Sequence, residues 1–341
     1  MLSNLINLIK QESSREAPDG VRALVEALMK RYGEVTQAIL FYGSCFRTGD
    51  DTDGLVDLYV IVDDYHAALP NRLQAVANKL LPPNVFYLEL PIQDRMVRTK
   101  YAVLSLKDFQ RGTSQAWFHS YLWARFAQPV GLLYARNNQV AKQVRAALAQ
   151  AVITFIHRVM PGAEERFTAR ELWHHGLLLS YRAELRSEKP DRLVSLVDAA
   201  PEYYEHVTRA AVVAVPFKVE IFAEPNGFLY HAHIPSQVRY RSRLGWTLRR
   251  FQGKALSILR LLKGVFTFEG GVDYIQWKIE RHSGVRVEST PRLERHPLLA
   301  ACMLSWRLYR KGGFRLAISQ ESERQRTTKG TKFTKGLHSL V

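Results

Sequence analysis

Two short elements near the start of the chain have the residue types and the spacing to bind a nucleoside triphosphate. The first is the tetrapeptide Phe41-Tyr42-Gly43-Ser44, and Asp57 follows it after twelve intervening residues. Gly43 lets the backbone approach phosphates closely, and the Ser44 hydroxyl and the amides that follow can donate hydrogen bonds to phosphate oxygens. A carboxylate on the neighbouring strand can then hold Mg²⁺ against those phosphates. Nucleotidyl transfer requires this arrangement, because the metal neutralises the pyrophosphate leaving group while an acceptor oxygen attacks the α-phosphorus.

The hydrophobic pattern around these residues predicts the strands that position them. Apolar runs at 38–42 and 55–62 are each followed by turn-forming residues, which predicts two strands joined by a glycine-bearing loop. Helical spacing at 21–32 precedes the strands, and a helix over 69–81 and a strand over 85–90 follow them. This order of elements predicts an α+β or α/β nucleus.

The rest of the chain has mainly helical periodicity. We expect helices over 109–127, 140–159, 169–186 and 192–196, and a hairpin near Pro225-Asn226-Gly227. The final residues are polar and rich in lysine, which is typical of a basic flexible tail. The predicted division is a core over 1–135, a mainly helical domain with basic amphipathic helices over 136–319, and a tail over 320–341.

The charge balance favours a partner that carries phosphate. The chain has 48 Lys and Arg against 32 Asp and Glu, a net charge of +16, and a pI near 9.9. Such a balance predicts attraction to nucleotides, nucleic acid or anionic lipid headgroups, and it carries no information about the fold. With two cysteines a disulfide framework is excluded, which favours a reducing interior. Without a recognisable targeting segment we expect a cytoplasmic, bacterial setting.

The paired elements resemble the nucleotidyltransferase superfamily of the DNA polymerase β type. Its signature is a hydrophobic residue before Gly-Gly or Gly-Ser, a loop of about this length, and then Asp-x-Asp or Asp-x-Glu on a strand. The resemblance implies an α+β fold with a mixed-sheet core. In this chain Tyr59 stands at the position of the second carboxylate, and Glu89 on the third predicted strand is the nearest candidate for an additional metal ligand.

A closer resemblance covers roughly residues 38–130, where four sequence blocks match in order and spacing. They are similar to the mitochondrial-type phosphatidate cytidylyltransferases of translocator assembly and maintenance. The blocks are Tyr42-Gly43-Ser44-x-Phe46, Leu55-x-Asp57-Leu58-x-x-x-Val62-Asp63-Asp64, Lys100-Tyr101-Ala102-Val103-x-Ser105, and Leu122-x-Ala124-Arg125-Phe126-x-x-Pro129-Val130.

This resemblance implies a reaction of CTP with phosphatidate that gives CDP-diacylglycerol and pyrophosphate, with Mg²⁺, at a membrane surface. Gly43 and Ser44 would hold the CTP phosphates and Asp57 would ligate Mg²⁺. Lys100 or Arg125 would neutralise the triphosphate or the lipid phosphate. A ligand role also explains why Asp57 lies inside an otherwise apolar strand, since burying an unpaired carboxylate is costly.

Three other polar motifs have both a structural and a functional interpretation. Asp63-Asp64 can be a turn or helix cap, or part of the site. His231-x-His233 places two imidazoles on one strand face, but the sequence shows no thiolate or carboxylate beside them to complete a metal site. Residues 181–186 are expected to form a solvated helix face.

The segment 239–263 contains eight basic residues and no acidic one, with leucines near helical spacing. It predicts a cationic amphipathic helix, which either packs on the core with a basic outer face or docks on anionic lipid. Residues 298–310 offer a second helix of the same kind.

The sequence therefore leaves three functions open. The first is a cytidylyltransferase acting on phosphatidate at an anionic membrane surface, as a peripheral protein. The second is a nucleotidyltransferase with another acceptor, such as RNA, a small molecule or a protein; no RNA-binding signature supports it, and we expect no nucleic acid partner. The third is a non-catalytic nucleotide-binding or lipid-binding relative, which Tyr59 keeps open.

Overall fold

The structure is a computed structural model that describes residues 2–267, except 53, 70, 93, 185–189 and 226. The described residues belong to one compact unit that ends at Thr267. Of the predicted divisions, the boundary at residue 135 coincides with the end of a strand. Residues 298–310 and the tail over 320–341 lie outside the described residues, and the division into domains stays a prediction.

A five-stranded mixed sheet forms the centre of the fold, which confirms the α+β class. Its strands lie in the order β3-β4-β2-β1-β5, and only β2 and β4 are parallel neighbours. The strands are β1 (Thr36–Tyr42), β2 (Val56–Val62), β3 (Asn84–Ile92), β4 (Arg95–Ser105) and β5 (Gly131–Ala135).

Helices cover the sheet and form most of the remainder of the described chain. Those up to β5 are α1 (Leu2–Ser13), α2 (Asp19–Tyr32), α3 (Ser44–Thr48), α4 (Tyr65–Ala68), α5 (Arg72–Leu80), α6 (Leu106–Thr113) and α7 (Trp123–Phe126). Those after it are α8 (Asn138–Val159), α9 (Ala169–Arg182), α10 (Pro190–Asp198), α11 (Pro201–Ala211) and α12 (Ser236–Thr267). A second sheet has the order β6-β8-β7, with β6 (Arg166–Thr168), β7 (Lys218–Glu224) and β8 (Gly227–His233).

Both faces of the central sheet are buried, and this explains why β1 and β2 are apolar at successive positions. Leu40 and Tyr59 lie in the core cluster that includes the long helix α8, whereas Ile39 and Leu58 lie in the cluster that includes α2. Alternate residues of a strand point to opposite faces, so each face receives its own apolar set.

The main difference from the sequence prediction lies in residues 109–127, where one continuous helix is wrong. Helix α6 ends at Thr113, and α7 begins at Trp123. After α6 the chain folds back so that Leu122 packs against Gly112. Glycine permits this contact, because a methyl group at 112 would overlap the Leu122 side chain. The predicted helix over 69–81 begins only at Arg72, since the Asn71 side chain accepts from the Leu73 and Gln74 amides as its N-cap. Strands β4 and β5 were not predicted.

Candidate active site

A row of polar side chains crosses the open end of one sheet face. Tyr42 on β1 pairs in register with Asp57 on β2, Asp57 with Lys100 on β4, and Lys100 with Tyr87 on β3. Residues in register share a face, so these four side chains lie side by side. The hydrophobic core begins two residues further along β2 and β4, where the next row on the same face contains the buried Tyr59 and Ala102.

Gly43 brings the backbone against the Asp57 carboxylate. Its φ of 88° and ψ of −160° belong to a region that is essentially restricted to glycine. A Cβ atom built on it would lie 2.6 Å from Asp57 Oδ2, which is too close for any side chain. Glycine is therefore required here both for its backbone conformation and for the contact. Ser44 follows as the exposed first residue of α3, whose N-terminus has no side-chain cap.

Asp57 and Lys100 form an ion pair that solvent can reach. Lys100 Nζ lies 3.6 Å from Asp57 Oδ1, and the Lys100 and Asp57 side chains are 37% and 23% exposed. The distance is longer than a tight charge-assisted hydrogen bond of about 2.8 Å. The pair therefore leaves carboxylate oxygens accessible to a cation and an ammonium group accessible to a phosphate.

Tyr59, two residues after Asp57 on β2, is fully buried. Its ring packs on Phe126 at 4.9 Å and on Tyr42 at 5.4 Å between centroids, and its hydroxyl lies 3.4 Å from that of Tyr121. An aromatic side chain in this place belongs to the core and offers no metal ligand. Within the row described above, Asp57 is the one carboxylate.

Two of the other three acidic candidates, Glu89 and Asp64, have structural partners, and Asp63 lies at the other end of β2. Glu89 accepts a hydrogen bond from the Tyr87 hydroxyl at 2.8 Å and pairs with Arg98 at 3.3 Å. Asp64 caps α4 by accepting from the His66 and Ala67 amides, which confirms its interpretation as a helix cap. Asp63 follows the far end of β2, six residues from Asp57, or about 20 Å along a strand.

Arg125 joins the row through Tyr42. Its Nη1 donates to the Tyr42 hydroxyl at 2.9 Å, and its guanidinium carbon lies 4.6 Å from the Tyr121 ring centroid and 6.0 Å from that of Tyr59. Burial raises the pKa of Tyr42, which keeps this phenol neutral and able to accept the bond. The structure thus brings Gly43, Ser44, Asp57 and Lys100 together and connects Arg125 to them through one hydroxyl.

Three residues near Arg125, namely Tyr121, Arg260 and Glu184, were not predicted from the sequence to belong to the site. The Tyr121 ring contacts two cations, since the Arg260 guanidinium also lies over it at 4.2 Å from the centroid. Burial raises the pKa of Glu184 to about 7, although Arg125 and Arg260 favour its charged form. The expectation of a solvated face over 181–186 is therefore wrong for the half-buried Glu184. Only the tertiary contact with α12 gives these residues a common site.

Helix α12 confirms the predicted helix over 239–263, and its buried face combines Trp246 of the core with inward-facing arginines, whereas most of its described leucines are exposed. Arg249 is buried and donates to the Phe118 carbonyl, and Arg260 donates to the Pro82 carbonyl at 3.1 Å. Seven other apolar side chains form an exposed stripe, which we call the α12 stripe. Its members are Tyr240, Leu244, Leu248, Phe251, Ile258, Leu259 and Leu262.

The arginines face inward because backbone carbonyls accept from them. The Phe118 and Pro82 carbonyls lie outside the strands and helices, and the guanidinium groups of Arg249 and Arg260 donate to them. The basic residues Arg241, Arg243, Arg250 and Lys254 remain exposed beside the α12 stripe.

Within residues 2–267 as described, no helix is both long and apolar enough to cross a membrane. No protein-family model matches the chain, and no curated protein matches it. A solved structure of a nucleotidyltransferase-like protein from Exiguobacterium sibiricum is similar to 63% of this chain and 99% of that chain, at 9% identity and a TM-score of 0.24. A similarity of this size carries no information about the reaction.

Proposed function

We propose that this chain transfers CMP from CTP to phosphatidate, giving CDP-diacylglycerol and pyrophosphate, with Mg²⁺ and at an anionic membrane surface. The observation that carries the nucleotidyl-transfer part is the contact of the Gly43 backbone with the Asp57 carboxylate, beside the Lys100 ammonium group. This contact joins a phosphate-binding turn to a metal ligand and a cation in one accessible place. The lipid acceptor rests on the sequence resemblance and on the α12 stripe.

The donor set at Asp57 fits Mg²⁺. Proteins commonly hold this ion through one or two carboxylates, with substrate phosphates and water completing its octahedral shell. Asp57 supplies one accessible carboxylate, and Tyr59 withholds a second, so most of the ligands would come from the triphosphate. When bound, the ion neutralises charge on the pyrophosphate leaving group.

The residues of the row have separate tasks in this proposal. Gly43 and Ser44 bind the triphosphate. Asp57 would ligate the metal ion, and its carboxylate has room there because Gly43 has no side chain. Lys100 donates to phosphate oxygens and stabilises the charge that develops at the α-phosphorus. A phosphatidate oxygen attacks that phosphorus, and the bond to pyrophosphate breaks. The acceptor phosphate is already ionised near neutral pH, so no general base is needed.

Arg125 supports the choice of a phosphate-bearing acceptor. It lies one hydroxyl away from the row, and Arg260 lies on the same Tyr121 ring. Guanidinium groups bind phosphate through paired N–H donors, and a second cation nearby increases the local attraction for an anion.

The assay that tests the reaction uses purified full-length protein, labelled CTP, Mg²⁺ and phosphatidate in mixed micelles. Wild type should form lipid-linked CMP, and Asp57→Asn should lose this activity because the amide removes the negative charge that binds the metal. Asp63→Asn, just after the same strand, is the matched control and should retain activity. Transfer only to RNA, a protein or a small alcohol would refute the lipid acceptor, and CTP binding without transfer to any acceptor would refute catalysis.

Vesicle flotation tests the membrane part separately. Phosphatidylcholine vesicles that contain phosphatidate should bind the protein, and Leu248→Glu with Phe251→Glu in the α12 stripe should weaken binding. Leu73→Glu on α5 is the control, since Leu73 is an exposed leucine that does not belong to the stripe. Binding should fall with salt because the exposed arginines attract anionic headgroups. Two results would refute the α12 stripe as the membrane-binding surface. One is equal binding of wild type to vesicles without phosphatidate, and the other is equal binding by the stripe variant and the Leu73→Glu control.

A further inference from the structure

The second sheet brings together three metal-binding side chains that the nucleotide site does not use. His231 and His233 on β8 are two residues apart and point to the same face. Glu220 on β7 is the register partner of His231 and therefore lies on that face beside it. The carboxylate that the sequence lacked beside His231-x-His233 comes from the opposite strand of the hairpin.

The donor atoms are close to the spacing that one ion requires. Glu220 carboxylate oxygens lie 3.5 Å from His233 Nε2 and 3.8 Å from His231 Nδ1, and all three donors lie within 4.8 Å of one another. Ligands at about 2.0–2.1 Å around a tetrahedral ion are roughly 3.3 Å apart. Small side-chain rotations would close the remaining gap, and the half-buried or exposed positions of these residues leave room for them.

Two basic side chains compete with a cation at this place. Lys218 Nζ lies 2.9 Å from Glu220 Oε1, and Lys218 is 73% exposed, so the ammonium group can move into solvent when a metal arrives. Arg166 on β6 is the other register partner of His231 and is exposed. Both lower the affinity of the group for a cation, and removing Lys218 should therefore raise it.

We propose that Glu220, His231 and His233 form a Zn²⁺ site, with water in the remaining position. Two imidazoles and one carboxylate suit zinc and not magnesium or calcium, which prefer oxygen ligands. The site is independent of the proposed nucleotidyl transfer. It would link the edge strand β7 to β8 by side chains from both strands, and zinc bound to the folded form stabilises that form by mass action.

The test is calorimetric titration of full-length, chelator-treated protein with Zn²⁺ alone. Other histidines of the chain can also bind zinc, so variants are needed to identify the contribution of this site. Wild type should show a class of sites that His231→Ala with His233→Ala lacks. Glu220→Gln should weaken that class by more than about tenfold, while Lys218→Met should tighten it. His206→Ala removes an exposed histidine elsewhere and should leave the titration unchanged.

Melting temperatures with and without Zn²⁺ separate binding from misfolding. Zinc should raise the melting temperature of wild type and of Lys218→Met, and it should leave that of the double histidine variant unchanged. Glu220→Gln and Lys218→Met are conservative changes and should melt near wild type in the absence of zinc. Equal zinc binding by wild type and the double variant, or weaker binding by Lys218→Met, would overturn the proposal.

Discussion

Replacing Gly43 by alanine tests the geometry on which the candidate active site depends. Gly43 and Gly49 flank helix α3, and both have positive φ, 88° and 69°. A Cβ built on Gly43 meets the Asp57 carboxylate at 2.6 Å, whereas a Cβ built on Gly49 meets nothing within 4 Å. Both substitutions place alanine at a positive φ, but only that at Gly43 meets the Asp57 carboxylate, so Gly49→Ala is the control.

The structure sets the relative size of the two effects. Gly49 has a left-handed conformation, in which a residue other than glycine costs about 1–2 kcal/mol. Gly43 has a glycine-only conformation, which adds to the overlap with Asp57, so its cost should be about 3 kcal/mol or more. Gly43→Ala should also displace Asp57 and abolish nucleotidyl transfer, whereas Gly49→Ala should retain most of it.

Urea unfolding and the CTP assay measure the two consequences, and the Asp57→Ala background isolates the contact. Removing the carboxylate removes the closest clash, so Gly43→Ala should cost less in that background than in wild type. An equal cost for Gly43→Ala and Gly49→Ala, together with full activity of Gly43→Ala, would refute the close approach of this backbone to Asp57.

Three further substitutions test the surroundings of the site. Arg125→Lys should lower kcat/KM by about 10- to 100-fold, since a lysine cannot reproduce the bond to Tyr42 and the ring contacts; unchanged kcat/KM would refute its role. Burial, with Arg260 and Arg249 nearby, lowers the pKa of His119 from 6.5 to about 3. The unfolded chain therefore binds more protons between these values, and His119 destabilises the fold as pH falls below 6.5, by up to about 1.4 kcal/mol per pH unit. Wild type should therefore lose stability relative to His119→Gln between pH 7 and pH 4, as measured by their free energies of unfolding. A difference that does not change with pH would contradict the burial argument. Gly253→Ala should cost about 1–3 kcal/mol because a methyl group would overlap the Ala183 carbonyl, whereas Gly264→Ala on the same helix meets nothing and should be neutral or stabilising; equal effects would contradict the packing of α12 against the end of α9.

Local sequence patterns determined the nucleus of this fold because the physics behind them is local. The apolar runs at β1 and β2, the glycine between β1 and α3, and the two-residue connection of the β7–β8 hairpin each follow from backbone sterics and burial over a few residues. For the same reason the amino-acid pattern alone distinguishes Asp57, as a carboxylate inside an apolar strand. The patterns therefore predicted an α+β or α/β nucleus and distinguished Gly43 and Asp57, and the family resemblance narrowed the class to α+β.

Tertiary structure alone decided which distant residues share a site and which face of a helix is buried. Register across β1, β2 and β4 sets Asp57 beside Lys100, and the return of the chain after Gly112 brings Arg125 to Tyr42. On α12, composition predicted an amphipathic helix, but backbone carbonyls distant in sequence draw Arg249 and Arg260 inward. The leucines consequently face outward, because the polarity of the surface that a helix meets determines its orientation, and that surface is built by residues more than a hundred positions away.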